Sequence, residues 1–159
     1  MDYAQEVQAA RTYGARILNV APPDLRPFFA RGGRLLLSHG WSDGLIPASN
    51  SILFYQGLLK TIPRGAVARQ LRLFMVPGMD HCGGGEGADS YDTLGTIDAW
   101  ASGGAAPDRI LATRRPANPT RDPALPPLSR PLCPFPQIAR YKGTGSKGDA
   151  ANFTCALST

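Results

Sequence analysis

Only two histidines are present, His39 and His81. His81 lies in Gly78-Met79-Asp80-His81-Cys82-Gly83-Gly84-Gly85, directly after the apolar run Leu71-Arg72-Leu73-Phe74-Met75-Val76-Pro77. A buried strand that runs into a glycine-rich loop holds a histidine at the carboxyl edge of a sheet, where open α/β folds place their reactive groups. An imidazole there is a candidate general base. The glycines after Cys82 permit backbone angles and close approaches that a Cβ forbids. The loop taken alone also accommodates an incidental polar histidine, and a second loop about forty residues upstream favours the base.

That loop is Gly40-Trp41-Ser42-Asp43-Gly44, which follows the apolar run Arg34-Leu35-Leu36-Leu37-Ser38-His39. Two such strands in one sheet would present Asp43 and His81 at the same edge. A carboxylate placed there accepts the proton on one imidazole nitrogen, fixes the tautomer and stabilises the imidazolium. Asp43 and His81 read as the last two members of a triad in the α/β-hydrolase order of nucleophile, acid, histidine. The structural alternative for Asp43 is an Asx turn between strand and helix. The pentapeptide also matches G-x-S-x-G, with Ser42 as the apparent nucleophile of a small esterase. An elbow of that kind needs a helix that starts almost at once, and here Leu45-Ile46-Pro47 intervenes. His39 is expected to be a satisfied, partly buried side chain, not a second base. Trp41 packs beside a pocket or covers the sheet edge, and Leu45 and Ile46 line that pocket or join the core. Gly83 to Gly85 lack the lysine and Ser/Thr of a phosphate-binding loop.

The elements that must position these groups follow from periodicity. Asp2 to Tyr13 has helical spacing, with Gly14 as its stop. Pro22, Pro23 and Pro27 punctuate Asn19 to Arg31, which predicts a turn and short helical turns around Asp24 to Ala30. A helix from Ala48 to Lys60 buries Ile52, Tyr55, Leu58 and Leu59, with Ser49 and Asn50 as capping candidates. Pro63 to Arg69 reads as a connector. A second helix, Ser90 to Ser102, carries Tyr91, Leu94, Ile97 and Ala101 on one face and ends at Gly103-Gly104. Arg109 to Thr113 reads as a short edge strand, and the chain beyond Arg114 as proline-rich and irregular except for Gln137 to Lys142. Strand, loop, helix in repetition implies a mostly parallel α/β sheet, with too few strands for a complete layer. The expected organisation is one partial domain: a helical lead-in over 1–33, the sheet and helices over 34–113, and a Pro/Gly-rich tail over 114–159.

At 159 residues, 43% hydrophobic and 18% charged, the chain is globular in composition. The net charge of +5 comes from scattered arginines whose densest cluster is Arg114-Arg115, so neither a nucleic-acid surface nor a membrane partner is expected. The polar start Met1-Asp2-Tyr3-Ala4-Gln5-Glu6 does not read as a signal peptide. The cysteines are Cys82, Cys133 and Cys155. Cys133 and Cys155 bracket a tail that a disulfide would restrain, which leaves Cys82 with an absent partner or a free thiol. Zinc binding is a weaker alternative, because no pair has ligand spacing.

Four separated motifs carry a resemblance. Leu37-Ser38-His39-Gly40-Trp41-Ser42-Asp43-Gly44-Leu45-Ile46-Pro47 and Phe74-Met75-Val76-Pro77-Gly78-Met79-Asp80-His81-Cys82-Gly83-Gly84-Gly85 are the first two. Arg130-Pro131-Leu132-Cys133-Pro134-Phe135-Pro136 with Ala139-Arg140-Tyr141-Lys142-Gly143 is the third, and Ala151-Asn152-Phe153-Thr154-Cys155 the fourth. Together they resemble the carboxy-terminal part of the tannase and feruloyl esterase family, from about Asp24 to Cys155. The resemblance implies a partial α/β-hydrolase fold and cleavage of aromatic-acid esters, with galloyl, feruloyl and terephthalate esters all open as substrates. It assigns Asp43 as triad acid, His81 as base, Cys133 and Cys155 to a carboxy-terminal disulfide, and Cys82 to a disulfide with a cysteine preceding the nucleophilic serine. The family's Cys-Ser motif, oxyanion hole and calcium-binding lid lie upstream of the matched region, so no cofactor is expected in these residues. The expectation is a carboxy-terminal segment, inactive alone, of a secreted or periplasmic enzyme; the alternative is a non-catalytic remnant or partner subunit that binds a complementary amino-terminal half through its exposed sheet edge and Cys82.

Overall fold

The computed structural model describes residues 2–18, 24–115 and 125–158. A helical lead-in runs through α1 (Tyr3–Ala9), a π-helical stretch (Ala10–Gly14) and α2 (Ala15–Leu18), so helical backbone continues through Gly14 instead of stopping there. Asp2 caps it by accepting the amide protons of Ala4 and Gln5. Pro22 and Pro23, read as a turn, lie outside the described residues. The short α3 (Arg26–Ala30) follows.

β1 (Leu35–Gly40) leads by a loop to α4 (Ser49–Thr61), and α5 (Arg64–Gln70) leads into β2 (Leu71–Val76). β1 and β2 are parallel, with Leu35 opposite Leu71 and His39 opposite Met75. β2 organises the interior because its side chains alternate between two faces and both are covered. Leu71, Leu73 and Met75 pack with Phe29, Tyr55, Leu58 and Ile62. Phe74 and Val76 pack with Met79, Ala88, Ile110, Ala112 and Leu132.

Several boundaries depart from the sequence reading. Pro63 to Arg69 is no plain connector: Pro63 precedes the first turn of α5, where its missing N–H costs nothing. α4 starts after Ala48 with no side-chain cap, so Ser49 and Asn50 lie inside the helix. Its buried residues are Tyr55 and Leu58, while Leu59 is largely exposed. Ser90 and Tyr91 form β3, not the start of a helix; Asp92 then caps α6 (Thr93–Ala101) by accepting the Gly95 amide proton. The buried anchor of α6 is Trp100, whose indole N–H donates to the Arg69 carbonyl at 3.0 Å, and Leu94 faces solvent.

β4 (Ile110–Thr113) is the middle strand of an antiparallel sheet, flanked by β3 and by β5 (Ser129–Leu132), and not an edge. β6 (Gln137–Tyr141) pairs with β7 (Phe153–Leu157) as a hairpin. The tail is therefore more regular than its prolines suggest. Cys133 and Cys155 form a disulfide that ties the end of β5 to β7. Among the described residues the parallel pairing is confined to β1 and β2. None of their helices is long and apolar enough to cross a membrane.

Candidate active site

The loops after β1 and β2 are stapled together at the carboxyl edge of the parallel pair. The Trp41 amide donates to the Val76 carbonyl at 3.0 Å, and the Ser42 amide to the Met79 carbonyl at 3.1 Å. Gly40 makes this approach possible: a Cβ there would sit 2.1 Å from the Met79 carbonyl oxygen. The loop after β2 is closed on itself by the Gly87 amide on the Gly78 carbonyl at 2.8 Å. Buried Asp89 holds its far side, accepting the Gly84 amide proton at 2.7 Å and the Arg115 amide proton at 3.0 Å. Cys82, at the tip, adopts φ 61°, a left-handed conformation uncommon outside glycine.

Held in this way, His81 donates Nδ1–H to Oδ2 of Asp43 at 2.9 Å. The other oxygen of Asp43, Oδ1, accepts the backbone amides of Leu45 at 2.9 Å and Ile46 at 2.8 Å. The Asx turn and the acid–base pair are thus two uses of one carboxylate, one oxygen each. The Ile46 amide foremost, then His81 and the Leu45 amide, hold the Asp43 carboxyl well below the usual carboxylate range, against the opposing effect of burial. With Nδ1 engaged as a donor, the neutral His81 ring carries its lone pair on Nε2, and that nitrogen has no partner among the described residues. The Asp43 side chain is 5% exposed and that of His81 43%. The arrangement is a buried carboxylate that orients an accessible base.

His39 enters the same cluster. Its Nδ1 lies 2.7 Å from the Ser51 hydroxyl on α4, and its Nε2 lies 3.1 Å from the Ile46 carbonyl and 3.2 Å from Asp43 Oδ2. A cleft of about 340 Å³ opens over the pair, lined by Ser38, His39, Gly40, Asp43, Ile46, Met79, His81, Cys82 and Tyr91. Of the pocket candidates, Ile46 lines this cleft. Trp41 and Leu45 do not, and both project into solvent. Ser42 is also outside the lining, and no non-glycine residue near it has the positive φ found at Cys82. Cys82 is a free, exposed thiol. Sequence reasoning missed Ser51, Asp89 and Tyr91. Asp89 alone left a trace, as the carboxylate directly ahead of the next strand. Among the described residues no group of three or more His, Cys, Asp or Glu side chains is arranged to hold a metal ion.

A sequence profile described as "Tannase and feruloyl esterase" matches residues 4–156. The chain belongs to the tannase and feruloyl esterase family. It is 44% identical over 133 residues to a mono(2-hydroxyethyl) terephthalate hydrolase from Piscinibacter sakaiensis, which covers 84% of this chain and 21% of that protein. A probable feruloyl esterase from Arthroderma benhamiae is 37% identical over 144 residues, covering 89% and 26% respectively. Among solved structures, an esterase from Aspergillus oryzae superimposes with a TM-score of 0.72 at 26% identity. Feruloyl esterase B from the same organism gives 0.71 at 25% identity, and each pairing covers 96% of this chain and 32% of the other. The chain thus spans between a fifth and a third of the length of these relatives, and within that span it has the fold of a tannase-family esterase.

Proposed function

We propose that Asp43 and His81 are the acid and base of a serine ester hydrolase acting on aromatic-acid esters, and that the nucleophile they serve lies outside these 159 residues. The observation that carries this reading is the His81 Nδ1–Asp43 Oδ2 bond of 2.9 Å, which leaves Nε2 as an unengaged base at an open cleft. In the reaction Nε2 takes the serine proton, the serine oxygen attacks the ester carbonyl, and the alcohol leaves with that proton. Water then releases the aromatic acid by the same exchange. Asp43 stays ionised throughout and stabilises the imidazolium, a role suited to a carboxylate that already accepts two backbone amides.

Ser42 is disfavoured as the nucleophile. It lacks left-handed backbone, does not line the cleft, and α4 starts only at Ser49. The missing partner is an amino-terminal half that pairs with the edge of β1, which has no ladder partner among the described residues except β2. Cys82 would bond to a cysteine of that half. The Cys133–Cys155 disulfide supports an oxidising compartment, secreted or periplasmic.

The test is a chimaera in which this chain replaces the 133 aligned residues of the Piscinibacter sakaiensis hydrolase. The chimaera is expected to hydrolyse a terephthalate or hydroxycinnamate ester, with His81→Ala or Asp43→Ala lowering kcat by about 10³-fold or more. The isolated chain is expected to be inactive. Full activity in the His81→Ala chimaera, or hydrolysis by the isolated chain that disappears on Ser42→Ala, would overturn the proposal.

A further inference from the structure

We propose that Asp89 is a positioning residue for His81: by anchoring the Gly84 amide it fixes the glycine loop after β2, and with Arg115 it latches that loop to the end of β4. The proposal rests on the reading of Asp43 and His81 as acid and base. Asp89 is buried, its side chain 3% exposed. Its hydrogen bonds and its ion pair join two segments. Oδ2 accepts the Gly84 amide proton at 2.7 Å and pairs with Arg115 Nε at 3.1 Å, while Oδ1 accepts the Arg115 amide proton at 3.0 Å. The Arg115 guanidinium lies against Gly83, where a Cβ would meet its Nη2 at 2.8 Å. Arg114 holds the same loop further along, since its Nη2 donates to the Glu86 carbonyl. The densest cluster of arginine in the sequence therefore works on the loop that carries His81.

His81 hangs between two ties. Before it, the Ser42 amide holds the Met79 carbonyl; after it, Asp89 holds the Gly84 amide. The segment between has little else to keep it in place. Gly83, Gly84 and Gly85 have φ of 144°, 77° and 83°, and they carry no side chain that packing could grip. The bond from the Asp80 amide to the Gly84 carbonyl, at 3.3 Å, closes the turn on itself and moves with it. A carboxylate suits the second tie because it only accepts, whereas an asparagine would turn its NH₂ group toward an N–H of Gly84 or of Arg115. Without Asp89 the Gly84 amide loses its acceptor and the far end of the loop is freed. The 2.9 Å contact of His81 with Asp43 then becomes one position among several. An aspartate that served only to join β3 to β4 would leave His81 untouched in any variant that still folds.

Imidazole ¹⁵N and low-field ¹H NMR on the full chain, with hydrogen exchange read at the Gly84 amide, tests this; with two histidines in the sequence the assignment is direct. The Trp100 indole N–H, bonded to the Arg69 carbonyl, reports whether the fold persists. In the wild type His81 is expected as the Nδ1–H tautomer and the Gly84 amide as protected. Asp89→Ala is expected to abolish the His81 Nδ1–H signal, keep the Trp100 resonance and speed Gly84 exchange by about tenfold or more. Arg115→Ala removes a side chain that is 59% exposed and leaves the backbone bonds to Asp89 in place. It is expected to broaden the His81 signal and to speed Gly84 exchange less. A wild-type Gly84 amide without protection would overturn the proposal before any variant is made. So would an Asp89→Ala chain with an unchanged Trp100 resonance and a His81 signal of wild-type width. If Asp89→Ala does not fold, Arg115→Ala decides, and wild-type His81 width and Gly84 exchange there would overturn the proposal. Asp43→Asn separates the two readings. If it leaves the His81 tautomer unchanged, the acid–base pair itself fails. If it shifts the tautomer and the Asp89 and Arg115 variants leave the His81 signal as it was, only the role of Asp89 fails.

Discussion

Gly40→Ala attacks the junction on which the whole site depends. A Cβ at residue 40 would lie 2.1 Å from the Met79 carbonyl oxygen, 2.7 Å from that of Asp80 and 2.8 Å from the Met79 carbonyl carbon. All three obstacles are backbone, so no side chain can rotate out of the way. Ordinary contact begins near 3.4 Å, and the two loops must therefore part by about 1.3 Å. That displacement breaks the Trp41–Val76 and Ser42–Met79 hydrogen bonds, now 3.0 and 3.1 Å. Two backbone bonds at about 0.5–1.5 kcal/mol each, with about 1–3 kcal/mol for overpacking, give a destabilisation of roughly 2–6 kcal/mol. Asp43 lies three residues further along the displaced segment, and its 2.9 Å contact with His81 would open beyond hydrogen-bonding range. Urea unfolding measures the first effect and the His81 Nδ1–H resonance the second. Gly44→Ala is the control, since nothing lies within 4 Å of a Cβ there. It should behave like the wild type. A Gly40→Ala chain within about 0.5 kcal/mol of the wild type, with the resonance intact, would refute the claim that this glycine sets the geometry.

Two further predictions concern charge and covalent restraint. Because the folded state lowers the Asp43 pKa, its contribution to stability is fully present above the unfolded value of about 4 and is lost as the pH falls from there through the folded value. Asp24, brought down to about 2 by Arg26, titrates in the same window, so the measurement is the difference between wild type and Asp43→Asn. Unfolding midpoints between about pH 2 and pH 5 should fall with acid less steeply in the variant, and parallel curves would count against an ion-paired Asp43. For the tail, the Cys133–Cys155 bridge closes a loop with a sequence separation of 22. Replacing both cysteines by alanine should cost about 3 kcal/mol of stability by chain entropy, read from urea midpoints; a loss under about 1 kcal/mol would place the tail's order in its strands alone.

The parts that sequence reasoning recovered are those whose signal is local. β1 and β2 are continuous apolar runs, α4 has helical periodicity, and each strand ends in a glycine-bearing loop. Asp43 and His81 could be paired on paper because a parallel register carries both strand ends to the same edge. The antiparallel elements were hidden, since β4 pairs with Ser129 to Leu132 across a stretch of prolines and Pro131 itself sits in β5. Its amide is missing from the ladder, and a proline inside an apolar stretch argues against a strand by local rules. α5 was hidden for a related reason, because Pro63 looked like a breaker when it stands just ahead of a helix. Ser51 and Asp89 act through contacts fixed by three-dimensional packing, and no periodicity announces such a contact.

The loop after β1 also shows why a structural and a chemical reading of one residue need not compete. An Asx turn and the proposed role of triad acid both call for a short carboxylate at a strand-to-helix bend, and Asp43 divides its oxygens between the turn amides and His81. The turn supplies two fixed donors to Oδ1, which is what keeps the carboxylate ionised and in place beside His81. Asparagine at 43 would preserve the turn through its carbonyl oxygen while presenting an NH₂ group to the two imidazoles. Stability near neutral pH should then fall modestly while the His81 tautomer inverts. That separation distinguishes a residue kept for its turn from one kept for its charge.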